Sequence, residues 1–202
     1  MIEAADKKRE QILDKALTRF AHFGINKTTM NEIADDLAIS KPSLYYYFPD
    51  KISLAVAVAG KIFDEFFRRL NSIKENAGST KNALFAIIEL RKEYFEKYYM
   101  LHLTESTTEL NINNESFRKL MEESREKEKT SIQEVFTKDE SLSQFPAEPI
   151  ADLYLDSIMG LGMFLMAKQT KQLLPETKGL EEVIAKQKAL TEIFLDGLAN
   201  RA

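Results

Sequence analysis

Hydrophobic positions recur at spacings of three and four residues along most of this chain, the pattern of helices that each bury one face. Residues 7–23 set Ile12, Leu13, Ala16, Leu17, Phe20 and Phe23 on one side, and Gly24 follows as the C′ residue that closes such a helix. Met30, Ile33, Ala34 and Leu37 repeat the pattern over a much shorter run. Thr29 precedes them as an N-cap, and Glu32 three residues on completes a capping box. The pattern breaks at Ala38. A second short helix then opens with Ser40 as N-cap and Ile39 and Leu44 as a hydrophobic staple, or with Lys41 as the cap, because a residue before Pro42 resists the α region.

Tyr45, Tyr46, Tyr47 and Phe48 are consecutive, and at about 100° per residue they cover most of the helix circumference. A small helical unit cannot bury them all, so some ring faces outward. Phe48-Pro49-Asp50 ends this helix, Asp50 caps the next, and Lys51 falls on its first turn, where a cation opposes the helix dipole unless an anion docks beside it.

From Asp50 to about Lys74 a long helix carries a wide apolar band that includes Ile52, Val56, Ala59, Phe63, Phe66, Phe67 and Leu70. Gly60 within it marks either close packing, a bend or a tolerated glycine. Residues 76–80 read as a loop, residues 81 to about 100 as a helix, 101–110 as a short irregular helix, and 111–114 as a turn. Asn114 caps a helix from Glu115 to about Phe136 whose middle is a run of Glu, Lys and Arg, read as a solvated face. After a loop with Pro146, a helix from Pro149 to about Gln172 contains Gly160 and Gly162, which would admit a close neighbour. Pro175 ends the connection, and Gly179 to Ala199 forms the last helix, apolar at near-heptad spacing. These last two helices either pack within one chain or form half of a four-helix interface across a two-fold axis.

Two helices joined by about three residues, the second bearing Lys41, Ser43 and surplus tyrosines near its start, are what a helix-turn-helix needs to enter a major groove. Lys and Ser offer hydrogen bonds to base edges, and tyrosine hydroxyls reach phosphates from a rigid arm. The run T-T-M-x-x-I-A-x-x-L-A-I-S-K-P-S-L-Y-Y-Y-F-x-x-K-x-x-L, Thr28 to Leu54, resembles the DNA-binding segment of the TetR family of bacterial transcription regulators. It departs at Leu37-Ala38, where that family usually has Ala-Gly; a non-Gly residue in a left-handed turn there costs about 1 kcal/mol.

The resemblance implies an all-α fold of about nine helices: a three-helix DNA-binding domain over residues 1–50 and a larger effector-binding and dimerisation domain over 51–202. It implies a regulator, in the first instance a repressor, that leaves a palindromic operator when a small effector binds. Thr28, Thr29, Tyr46, Tyr47 and Lys51 are expected mainly on the phosphate side of the interface, Lys41, Pro42, Ser43 and Tyr45 at base edges, and Ser40 within the same DNA-binding set. Large and pliable residues in the middle of the chain, Phe63, Phe67, Phe95, Tyr98, Met100, His102, Phe117, Met121, Tyr154, Met159 and Met163, form either ordinary core or the lining of a partly apolar effector pocket. The resemblance favours the pocket, with His102 as a polar contact, and favours a homodimer through the last two helices.

Charge and composition narrow these readings. The first 55 residues hold eight Lys or Arg and eight Asp or Glu, so the net −4 of the whole chain falls on the remainder. A neutral head with a few placed cations suits a sequence-specific reader with weak off-site binding. Zero cysteines exclude disulfides and thiolate chemistry. The longest wholly apolar run, 158–167, is too short for a membrane span, and the N-terminal residues have no signal-peptide apolar region, so a cytoplasmic protein without membrane partners is expected. No Gly-rich phosphate loop, Ser/His/Asp set or metal-spaced cluster accompanies the two histidines, so neither enzyme activity nor a cofactor is expected. The rival reading from another class is a helical protein-interaction module whose exposed tyrosines contact a protein instead of DNA.

Overall fold

A computed structural model of the 202-residue chain describes residues 2–98, 114–169 and 177–200. The expected roles of Met100 and His102, the irregular helix at 101–110 and the break at Pro175 lie outside the described residues. Among those described are eight α-helices, one short 3-10 helix (Glu140–Leu142) and no strand. The α-helices are α1 (Ile2–Phe23), α2 (Met30–Asp36), α3 (Lys41–Tyr47), α4 (Lys51–Asn76), α5 (Thr80–Lys97), α6 (Glu115–Thr137), α7 (Ala147–Gln169) and α8 (Thr177–Ala199). No helix among the described residues is long and apolar enough to cross a membrane.

The chain divides into two compact units, one of residues 1–66 and 94–124, the other of residues 67–93 and 125–202. Helices α4, α5 and α6 therefore each pass from one unit into the other, and the first unit reaches beyond residue 50 to include the start of α4.

The core of the first unit gathers Ile12, Leu13, Ala16 and Phe20 from α1, Met30, Ile33 and Ala34 from α2, Leu44 from α3, and Leu54, Ala55 and Val58 from α4. This is the apolar stripe of α1 meeting the faces that α2 and α3 could not bury on their own. Arg19 ties α1 to α2, its Nε at 2.7 Å and its NH2 at 3.0 Å from the two carboxylate oxygens of Asp36. That bond, with the charge beside it, holds the Asp36 carboxyl below its usual range. Lys61 of α4 pairs with Glu10 and Asp14 of α1, each at 2.7 Å.

The core of the second unit is built from Ala83, Leu84 and Ile88 of α5, Ile132, Val135 and Phe136 of α6, and Ile150, Ala151, Tyr154, Leu155 and Ile158 of α7, with Ile184 of α8. A polar chain runs through it. Thr191 Oγ1 donates to the Gln187 carbonyl at 2.8 Å, so its single proton is committed, and the Tyr154 hydroxyl is the donor in the 2.8 Å bond to Thr191. Gln187 Nε2 donates in turn to the Ile158 carbonyl of α7 at 2.9 Å. Gly162 leaves room for that amide: a Cβ there would stand 3.0 Å from Gln187 Nε2. The close neighbour expected at the paired glycines is thus a side chain, and at Gly162 alone, because a Cβ at Gly160 or at Gly60 would meet no atom within 4 Å. Arg91 and Glu128 form a largely buried ion pair at 2.5 Å in the same unit.

Several boundaries differ from those expected. Helix α1 begins at Ile2, five residues early, since nothing in the sequence before Asp6 breaks a helix. Helix α7 begins at Ala147, which places Pro149 in its first turn, where a missing N–H costs nothing. The 3-10 turn of Glu140–Leu142, capped by Asp139, was unmarked by any hydrophobic period because three residues are too few to show one.

Candidate functional site

The geometry of the head is set by its caps. The Thr29 hydroxyl accepts from the Glu32 amide at 3.3 Å while the Glu32 carboxylate accepts from the Thr29 amide at 2.8 Å, which is the reciprocal box expected from the sequence. These bonds hold the Glu32 carboxyl below its usual range, with Arg19 adding to the effect. At α3 the structure decides between the two possible caps: Ser40 is extended (φ −69°, ψ 148°) and its Oγ accepts from the Ser43 amide at 3.3 Å. Between the helices Ala38 takes φ 50°, the left-handed turn anticipated where the related sequences carry glycine.

Helix α3 buries one residue completely, Leu44 at 0% exposure, and leaves Lys41, Pro42, Tyr45 and Tyr46 exposed. Lys41 and Pro42 are exposed and Ser43 half-buried on its first turn. Of the aromatic run, Phe48 is buried and Tyr47 half-buried, while Tyr45 is 46% and Tyr46 83% exposed. Tyr46 stacks edge-on against Tyr47, ring centroids 5.3 Å apart, which restricts the arm without hiding its hydroxyl. The Arg9 guanidinium lies over the Phe48 ring at 5.2 Å and fixes the end of α3 against α1. Ser40, Lys41, Pro42, Tyr45 and Tyr46 are thus exposed around α3, as is Thr29 at the cap of α2, with Ser43 half-buried.

Two residues expected on that face are occupied elsewhere. Thr28 is fully buried, and its hydroxyl donates to the Gly24 carbonyl at 2.9 Å. Lys51 points its ammonium at backbone carbonyls of the α1–α2 loop. Sequence spacing showed that both lie near helix starts but not that the loop turns back over them.

The described residues expected around an effector divide between the two units. Phe117 is buried in the core of the first unit, alongside the residues of α1 to α4. Tyr98, also in that unit, is buried with its ring 5.7 Å from Tyr94 and with the Lys97 ammonium over it at 5.1 Å. Phe63 and Phe95 are half-buried in the same unit. In the second unit Tyr154 is core: its ring meets Phe136 at 5.8 Å and Phe194 at 5.4 Å, and burial pushes its phenol up to about 12. Met159 packs partly against that core, and Phe67 lies under the Lys127 ammonium at 5.8 Å. Met121 and Met163 face outward, Met163 at 71% exposure. A stripe of aromatic and Met residues has the same period whether it fills a core or lines a cavity, so the sequence had no means to separate these cases.

The head thus has the architecture of a helix-turn-helix, two short capped helices whose second is exposed and bears Lys and Tyr. Residues 12–58 match the family described as bacterial regulatory proteins, tetR family. That match covers the head of the chain, from within α1 into the start of α4. The chain is 35% identical over 91 residues to the transcriptional regulator RutR of Escherichia coli strain K12, a match that takes in 45% of this chain and 39% of RutR. It is 28% identical over 124 residues to the transcriptional repressor KstR2 of Rhodococcus jostii, across 56% of this chain and 61% of that one. The alignments with the curated regulators YuxN of Bacillus subtilis and RutR span only 26% and 39% of those proteins' own lengths. Among solved structures, a transcriptional regulator from Cytophaga hutchinsonii superimposes with a TM-score of 0.81 at 27% identity, covering 94% of this chain and 97% of that one. FadR of Bacillus subtilis, solved in complex with stearoyl-CoA, has the same fold, with a TM-score of 0.68 at 16% identity over 93% of this chain and 98% of that one.

Proposed function

We propose that this protein is a sequence-specific DNA-binding regulator, a repressor that leaves a palindromic operator when its body binds a small, partly apolar effector. The observation that carries the reading is the first turn of α3: Leu44 anchors it, while Lys41, Pro42, Tyr45 and Tyr46 stand exposed on the same capped helix. In this arrangement Lys41, Pro42, Ser43 and Tyr45 meet base edges, and Thr29, Ser40, Tyr46 and Tyr47 hold phosphates. Lys41→Ala then costs about 1–3 kcal/mol of binding and relaxes specificity. Tyr46→Ala leaves folding stability within about 0.5 kcal/mol, since the ring is 83% exposed, while weakening DNA binding.

Palindromic recognition requires two heads, and the last two helices offer the surface for it. Leu153, Met163 and Phe164 on α7 and Ile193 on α8 are large apolar side chains left exposed, Ile193 at 69%. A second copy of the chain packed on this face completes a four-helix interface and sets two α3 helices about one turn of DNA (~34 Å) apart. Domain limits at 1–50 and 51–202 remain the functional division in this reading, with the reading surface in the first and effector binding and dimerisation in the second. Helix α4 passes from one compact unit into the other, so an effector that favours a different head spacing acts through it, to the extent of its differential affinity for the two states.

Selection of bound duplexes from a random DNA library tests the reading. Recovery of a palindromic site whose affinity falls steeply with salt supports it. Failure of the well-folded dimer to retain any duplex, or retention without salt dependence, overturns it.

A further inference from the structure

Lys51 stands in an awkward place. It is the first residue of α4, where a cation faces the positive end of the helix dipole. Its Nζ donates to the carbonyl oxygens of Ile25 at 3.0 Å, Asn26 at 3.4 Å and Thr28 at 3.1 Å. An ammonium has three N–H donors, and three carbonyls take them. From this geometry we infer that Lys51 is a positioning residue that latches the α1–α2 loop to the start of α4, and does not act as a phosphate ligand. The inference rests on the DNA-binding reading above for its functional consequence, but the latch itself is a property of the free protein.

The loop needs such a partner. It reverses at Gly24, with φ 80°, and its carbonyls converge. The Gly24 carbonyl is satisfied by the Thr28 hydroxyl at 2.9 Å, and the Ile25 carbonyl also accepts the Thr28 amide at 3.3 Å. What remains is a ring of partly negative oxygens that repel one another unless a cation sits among them. The same oxygens offset the unfavourable place of the cation on α4. Two local costs cancel, which accounts for a lysine at this helix start without any anion present.

The position gives the latch a role. The capping box of α2 begins at Thr29, directly after the Thr28 carbonyl that Lys51 holds. Lys51 therefore ties the start of α2, and the exposed Thr29 beside it, to the first residue of α4. A shift of the α4 N-terminus reaches the DNA-facing side through this contact, in addition to the covalent path through Phe48-Pro49-Asp50.

The test compares Lys51→Met, which keeps the stem and removes the charge, with Lys51→Arg, which keeps the charge but cannot direct a planar fork at three converging carbonyls. Amide exchange of residues 25–29 is followed in the free proteins, and affinity for the selected operator is followed as a function of salt. A latch predicts faster exchange of the Thr28 amide in both variants, roughly tenfold or more weaker DNA binding in both, and a salt slope equal to that of the wild type. A phosphate ligand predicts the opposite: loop exchange unchanged, a slope smaller by about 0.9 in Lys51→Met, and binding kept by Lys51→Arg. That second pattern overturns the inference. Should Lys51→Met fail to fold, Lys51→Arg decides, because full affinity with unchanged loop exchange refutes the latch. If the wild type itself retains no duplex, the DNA reading falls while the exchange measurement still settles the contact.

Discussion

The cluster that holds α1 to α3 against the start of α4 is apolar, with the paired hydroxyl of Thr28 buried beside it, and its other polar groups work at the ends of helices: Thr29 with Glu32, Ser40 with Ser43, Asp50 with Ser53. The second unit does the reverse, carrying Glu128, Ser131, Gln187 and Thr191 as buried side chains among helices of 18 to 26 residues. Helix length explains the contrast. Helices α2 and α3 have seven residues each, well short of the length at which a helix holds in water unaided. Their stability comes from caps and from the apolar interior they share with α1 and α4. The long helices have their backbone bonds secured internally, and a fully paired chain such as Tyr154–Thr191–Gln187 specifies one register of α7 against α8 where Leu and Ile alone tolerate several.

The hardest blow to this contrast is to empty the head. Leu44→Ala removes the only fully buried side chain of α3 and should cost about 2–5 kcal/mol. Denaturant melts read the loss, and amide exchange should quicken in α2 and α3 well before α7 and α8. Uniform quickening would mean that the two interiors are not distinct.

A smaller effect probes the polar interior. Thr191→Val leaves the buried Tyr154 hydroxyl without its partner and should cost about 1–3 kcal/mol. Adding Tyr154→Phe should recover part of that, so the double variant is more stable than the sum of the singles predicts; a strictly additive cycle would show that the bond contributes nothing specific.

Ala38 sharpens the account of the head. With φ at 50° the residue is strained, and Ala38→Gly should stabilise by about 0.5–1 kcal/mol in the same melts. A loss of stability would mean that the entropy glycine gives to the unfolded chain outweighs the relief.

The weakest effect is on pH. Because the Arg19 bond depresses the Asp36 carboxyl in the folded head, its contribution is complete above the unfolded carboxylate range near ~3.9 and is lost as pH falls through the lower folded value. Asp36→Asn should therefore be less stable than wild type at neutral pH, with the difference closing in acid. A gap that persists at the lowest pH would point to packing and not to charge.

The head was the most legible part of the sequence because its determinants are local. A capping box joins residues three apart, a staple residues five apart, and an amphipathic turn residues four apart, so Thr29, Glu32, Ser40 and Leu44 announced α2 and α3 before any tertiary contact was known. The all-α class and the order of the long helices followed from the same short-range periodicity, whereas the strain at Ala38 was visible only through the resemblance, where the family carries glycine. Contacts that join distant segments left no such trace. Lys51 meets carbonyls 23 to 26 residues earlier, Tyr154 meets Thr191 37 residues on, and Phe117 joins a core that begins at Ile12. A period of 3.6 says which face of a helix is buried, never which partner covers it. Local chain chemistry thus decided which elements form, while the partners of Thr28, Lys51, Phe117 and Tyr154 were decided only when folding brought remote carbonyls, hydroxyls and rings within a few ångströms of one another.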